Sequence, residues 1–151
     1  MLKCATSLWS ADLTNLAADI QRVEPYSEVF HLAVTDGPSV PPLLFFPDLV
    51  KTMRKHTTRP FEVHLMTTDP VQWIEPFAEA GADSFIFFLD AGGDPAEFIR
   101  AAKGAGKKVG VSLKIDEPLA ALEPYWEQLD TLCIIGTAIG IKGAGLDDSV
   151  P

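Results

Sequence analysis

Cysteine is scarce: Cys4 and Cys133 are the only two among 151 residues, and neither lies in a CxxC pair. Both sit in apolar runs, which predicts buried, reduced thiols and excludes a disulfide-stapled scaffold. Positive charge is also short. Twelve Lys and Arg stand against 21 Asp and Glu, a formal charge of −9, and no basic run exceeds two residues. Such a chain repels a phosphate backbone, so nucleic acid is excluded as a partner. No apolar stretch approaches the ~20 residues that cross a bilayer, and no membrane contact is expected. The start lacks the apolar region and cleavage site of a secretion signal, so we expect a cytoplasmic protein. No linker or low-complexity tract divides the chain, and with 47% hydrophobic residues it reads as one domain spanning residues 1–151.

What is present is a recurring pattern. Short β-type runs occupy Cys4–Trp9, Val29–Val34, Phe61–Met66, Ser84–Leu89, Lys108–Leu113 and Thr131–Ile135, with starts 23 to 32 residues apart. That is the spacing of βαβ units. Helical patterns lie between them. Ser10 is an N-cap candidate for a helix with Leu13, Leu16, Ala17, Ile20 and Val23 on one face. Asp69-Pro70 and Asp94-Pro95 each place a capping acid before a proline at the first helical position. Glu117-Pro118 opens a fifth helix with Leu119, Leu122, Trp126 and Leu129 on its apolar side. Gly81 and Gly104 read as stops, and Pro76 and Pro124 predict kinks or late starts.

Six strands alternating with five helices define a parallel α/β domain. Length alone favours a flavodoxin-like open sheet, because a (β/α)₈ barrel takes roughly 200 to 250 residues. The polar residues inside strands are more informative, since parallel strands are ordinarily apolar on both faces. His31, Ala33 and Thr35 share one face of the second strand, and Glu62, His64 and Met66 one face of the third. His31 and His64 therefore form a candidate pair of metal ligands near the C-terminal ends of neighbouring strands. Each read singly is a hydrogen-bonded core histidine.

The same segments carry a resemblance. Ala5–Leu13, His31-Leu-Ala-Val-Thr-Asp-Gly37 with Val40-Pro41, Glu62-Val-His-Leu-Met66 with Pro70 and Trp73, Ala80-Gly-Ala-Asp83, Lys108–Lys114, Leu132–Ile135 and Gly140–Gly145 together resemble the ribulose-phosphate 3-epimerase family. The resemblance covers essentially the whole chain and implies a (β/α)₈ TIM barrel, of which this chain supplies about six βα units. It also implies metal-assisted proton transfer at carbon 3 of a ketose phosphate, with a divalent metal (Zn, Mn, Co or Fe) held by two histidines and two aspartates. The two aspartates serve as acid and base. Residue by residue, His31 and His64 match the metal histidines, and Ser7, His64 and Met66 match substrate-facing positions. Gly140, Ile141, Lys142 and Gly143 match the loop that approaches the phosphate through its backbone. Lys142 departs from the family's usual glycine loop, and its ammonium is either a phosphate contact or a solvated loop group. The expected partners are a sugar phosphate and further copies of the chain.

The decisive departure is Ala33, which stands where the family has its first catalytic aspartate. No catalytic residue is then intact. Thr35 and Ile135 replace methionines of the reaction-centre wall, and Phe88 replaces a common histidine. The chain reaches Pro151 before the seventh strand, which bears the second aspartate, so the barrel is expected to be C-terminally incomplete. Asp90, in phase with Phe88, is the first candidate for a substitute acid. Asp36 is a turn residue beside Gly37, and Glu62 needs a partner if buried. Two functions remain open: an epimerase or isomerase with altered chemistry, and a non-catalytic relative that binds a sugar phosphate or assembles with a partner.

Overall fold

The computed structural model describes residues 4–141 and 143–148. Strands β1 (Ala5–Ser7), β2 (Val29–Asp36), β4 (Phe61–Met66), β5 (Ser84–Phe88), β6 (Lys108–Leu113) and β7 (Thr131–Ile134) form one parallel sheet in the order β1-β2-β4-β5-β6-β7. Each long strand lies beside its predecessor in the chain. A doubly wound sheet reverses direction at a switch point, whereas unbroken succession is the order of a barrel. The architecture is accordingly a TIM-barrel-like open sheet of six parallel strands, and the flavodoxin-like order suggested by length is not adopted.

All six predicted strands form. β2 runs on to Asp36, so His31 sits in mid-strand, deeper than the C-terminal position read from the sequence. Beyond it the two-residue strand β3 (Leu43–Leu44) turns back antiparallel on Thr35 and Asp36, an element the apolar pattern did not reveal.

The helices depart more. Helix α1 (Leu16–Val23) starts at Asn15, five residues after the expected cap. Asp12 accepts hydrogen bonds from the Thr14 backbone N–H (2.9 Å) and hydroxyl (2.6 Å), and this local turn delays the helix and leaves Leu13 half exposed. Helix α2 (Pro47–Met53) follows β3. Helix α3 (Ile74–Ala80) begins after a 3₁₀ turn at Val71–Trp73, with Pro76 in its first turn, where an N–H is dispensable. Asp69 does not cap it. Gly81 ends it as expected, in a left-handed conformation at φ 106°. Helix α4 (Pro95–Gly104) is capped by Asp94, whose carboxylate accepts from the Ala96 N–H at 2.9 Å. The expected fifth helix is replaced by two 3₁₀ turns, Leu119–Leu122 and Trp126–Gln128. Pro124 lies between them and interrupts helical hydrogen bonding, so only Leu122 of the predicted apolar side is buried.

The core lies between the sheet and these helices. Phe30, Val63, Phe85, Phe87 and Val111 project outward from their strands and meet Ile20, Val50, Phe77, Phe98 and Ile99, all essentially without solvent contact. Phe87 stacks on Phe98 with ring centroids 4.0 Å apart. One cysteine expectation fails. Cys4 precedes β1 at the margin of the sheet and is exposed, and Cys133 on β7 is half-buried; both are free thiols.

Candidate functional site

The other face of the sheet carries the polar residues. Parallel register sets His31 beside Glu62, Ala33 beside His64 and Thr35 beside Met66, while Ser7 of β1 pairs with His31. The shared faces inferred from alternation are therefore adjacent in space. His31, Ala33, His64, Met66 and Ser7 line a cavity of about 250 Å³ at this face. Gly140, Ile141 and Gly143 form its rim. A larger cavity of about 560 Å³ lies under the β2–β3 turn, walled by apolar side chains such as Leu44, Phe46 and Trp73. Its only titratable lining group is Asp36, so the smaller cavity is the one equipped for chemistry.

Glu62 finds its partner here: its carboxylate lies 2.9 Å from His31 Nδ1, with both side chains about four-fifths buried. An ionised carboxylate only accepts, so Nδ1 is the donor in this contact. His64 packs edge-on against His31 at a centroid separation of 5.4 Å and against Phe88 at 5.0 Å. Burial and then the neighbouring His31 push its pKa down to about 3, so it is neutral at physiological pH. Its Nε2 is buried without a hydrogen-bond partner.

The rim is a loop closed on itself by a bridge between Thr137 and Leu146 and by a 2.8 Å hydrogen bond from the Asp147 N–H to the Gly136 carbonyl. Gly140 and Gly143 hold φ values of 80° and 74°, a conformation that exposes backbone amides and disfavours side chains. Lys142 lies outside the described residues.

The candidate substitute acids are engaged elsewhere. Asp90 is ion-paired with Lys114 and lines a neighbouring cavity with Ser39 and Thr68. It is not among the residues lining the histidine cavity. Burial raises the pKa of Asp36, but hydrogen bonds from Thr68 and Ser39 outweigh it and hold the carboxyl below its usual range. Asp36 is thus a loop clasp, in keeping with its turn reading. Burial pushes the Cys133 thiol up, so the thiolate is disfavoured.

A profile of the Ribulose-phosphate 3 epimerase family matches residues 3–150. The chain belongs to that family. Ribulose-phosphate 3-epimerase of Treponema pallidum (strain Nichols) is 36% identical over 140 residues, covering 92% of this chain and 64% of its own length. The enzyme of Schizosaccharomyces pombe is 35% identical, with 93% and 64% covered. The cytoplasmic isoform of Oryza sativa subsp. japonica is 36% identical, with 83% and 56% covered. The chain thus spans about 56–64% of the length of these ribulose-phosphate 3-epimerases. Among solved structures, 3-hexulose-6-phosphate synthase from Salmonella typhimurium superposes with a TM-score of 0.69 at 21% identity, covering 87% of this chain and 62% of that one. A tryptophan synthase α-subunit from Pyrococcus furiosus gives 0.66 at 13% identity, with 89% and 66% covered. At those identities the likeness is one of fold.

Metal dependence is general in the ribulose-phosphate 3-epimerase family. The described residues of this chain do not make such a centre. Ala33 offers no donor, and no group of three or more His, Cys, Asp or Glu among the described residues converges on one point. His31 and His64 supply two nitrogens where a zinc centre takes three or four protein ligands.

Proposed function

We propose that this chain binds a ketose phosphate in the cavity at the inner face of its sheet, and that it lacks the two-carboxylate epimerisation typical of its relatives. The phosphate lies against the backbone of Gly140, Ile141 and Gly143. The sugar lies over Ser7, His31, His64 and Met66. One observation supports the reading: a cavity is lined by Ala33 together with Ser7, His31, His64 and Met66, and a methyl group stands at the position the resemblance matches to the first catalytic aspartate. In an acidic chain the anion is held by local amide dipoles rather than by net charge. The similarity to a cytoplasmic isoform in Oryza sativa subsp. japonica supports the cytoplasm as the setting.

Titration calorimetry with D-ribulose 5-phosphate and with unphosphorylated D-ribulose tests this. The phosphorylated sugar is expected to bind at least about tenfold more tightly, a difference of ~1.4 kcal/mol. Gly143→Val, which forces a branched residue into a left-handed position, is expected to weaken it. Equal affinity for both sugars, or efficient conversion to the carbon-3 epimer, overturns the proposal.

A further inference from the structure

We propose that Asp90 and Lys114 form a specificity compartment that takes the hydroxylated end of the bound ketose phosphate and turns away a second phosphate. This rests on the ketose-phosphate reading of the histidine cavity and names which phosphate esters the site accepts. A cavity of about 280 Å³ is lined by Ser39, Thr68, Asp90 and Lys114, and Phe88 and Ile139 line both it and the histidine cavity. The two are therefore neighbours across one aromatic ring. His64 packs on the Phe88 ring at a centroid separation of 5.0 Å, and Lys114 Nζ stands 5.3 Å from the centroid of the same ring.

The compartment is assembled at the ends of four strands. Asp36, which closes β2, accepts from the backbone N–H groups of Ser39 and Thr68 and so ties the loops after β2 and β4 together. Asp90 follows β5, in a loop where a Cβ on Gly92 would stand 2.3 Å from the Thr68 carbonyl oxygen, so this loop packs directly on its neighbour. Lys114 follows β6, and its backbone N–H donates to Glu117 at 2.7 Å. Among the described residues lining either cavity, Lys114 is the only Lys or Arg and Asp90 the only Asp or Glu. They are paired with each other, and both side chains reach solvent.

Such a pair carries no net charge but sets an acceptor beside a donor. One sugar hydroxyl donates to the Asp90 carboxylate while its neighbour accepts from the Lys114 ammonium, and the Ser39 and Thr68 hydroxyls serve either role. A phosphate dianion has acceptors only and meets the Asp90 charge, a like-charge contact that discriminates against it. The accepted class is therefore a monophosphate ester of a polyhydroxy ketone, and the bisphosphate is refused.

Titration calorimetry of the full chain with D-ribulose 5-phosphate and with D-ribulose 1,5-bisphosphate tests this. Wild type is expected to bind the monophosphate at least about tenfold more tightly. Asp90→Asn, which leaves the Lys114 ammonium without its counter-charge, should raise bisphosphate affinity about tenfold while weakening the monophosphate. Asp90→Glu should restore the wild-type preference, and Lys114→Met should weaken both esters. A merely structural disturbance would weaken both in Asp90→Asn as well, so the opposite shifts are the signature. Monophosphate binding with no preference over the bisphosphate, or with a preference that Asp90→Asn leaves unchanged, overturns this inference and leaves the binding reading standing. Weakening of both esters in Asp90→Asn does the same, whereas failure of both esters to bind wild type overturns the two readings together.

Discussion

At the residue scale, His64 couples the site to stability. In the unfolded chain it takes a proton near pH 6.5, whereas in the fold it does so only near pH 3. Between those values the unfolded state binds the extra proton, so stability contributed by the neutral imidazole is complete above pH 6.5 and is lost as pH falls toward 3. The slope from this one group is at most about 1.4 kcal/mol per pH unit. Urea melts of wild type and His64→Gln at pH 7, 5 and 4 should show the wild type losing more stability on acidification. Parallel loss in both would count against the neutral, buried assignment. Ala33 gives a second prediction. It pairs in register with His64 and neighbours His31, so Ala33→Asp adds the missing third donor. The variant should retain more Zn or Mn than wild type after desalting, measured by plasma mass spectrometry, and should lose stability when stripped of metal because a carboxylate is then buried. Much of this was legible in the sequence: alternation placed both histidines, Ala33 and Glu62 on their correct faces. The partner of Glu62 was not, because choosing His31 over His64 depends on the stagger between β2 and β4, which follows from barrel geometry rather than from either strand alone. Trp9 and Ile139 likewise line the site as members of otherwise unremarkable apolar runs.

At the scale of elements, strands were more readable than helices. A run such as Phe61–Met66 is specified by its own alternating and β-branched residues. Helix starts are contests among local hydrogen bonds, and the Asp12–Thr14 turn won against Ser10. Where acid and proline cooperate without a competitor, as at Asp94-Pro95, the cap formed as read. Asp94→Ala should lower stability by about 1 kcal/mol in a denaturant titration. The junction of β6 and β7 is more demanding. A Cβ on Gly110 would stand 2.6 Å from the Thr131 carbonyl oxygen, a contact that backbone cannot relieve cheaply. Gly110→Ala should therefore separate β7 from the sheet, raising amide exchange across Thr131–Ile134 and weakening sugar-phosphate binding through the loop that follows. Unchanged protection there would show that the strands tolerate the methyl.

At the scale of the whole molecule, β1 and β7 stand at the two ends of the sheet order, and Ile134 on β7 is more than half exposed. Unpaired strand edges are templates for association. We expect concentration-dependent self-association in light scattering, reduced by Ile134→Lys; a monomer at every concentration would show that these edges are adequately protected.

The succession of the strands has a consequence for how the molecule is made. Ala5 pairs with Val29, Phe30 with Phe61, Glu62 with Ser84 and Gly110 with Thr131, so every parallel pairing joins segments only 21 to 31 positions apart. No strand waits for a distant part of the chain. The cost of loop closure is met in similar small instalments, and each βα unit emerging from the ribosome finds its template already present. Such a sheet grows by accretion from its first strand, and the histidine cavity's floor, set by β1, β2 and β4, is laid down before the glycine rim that completes it is synthesised.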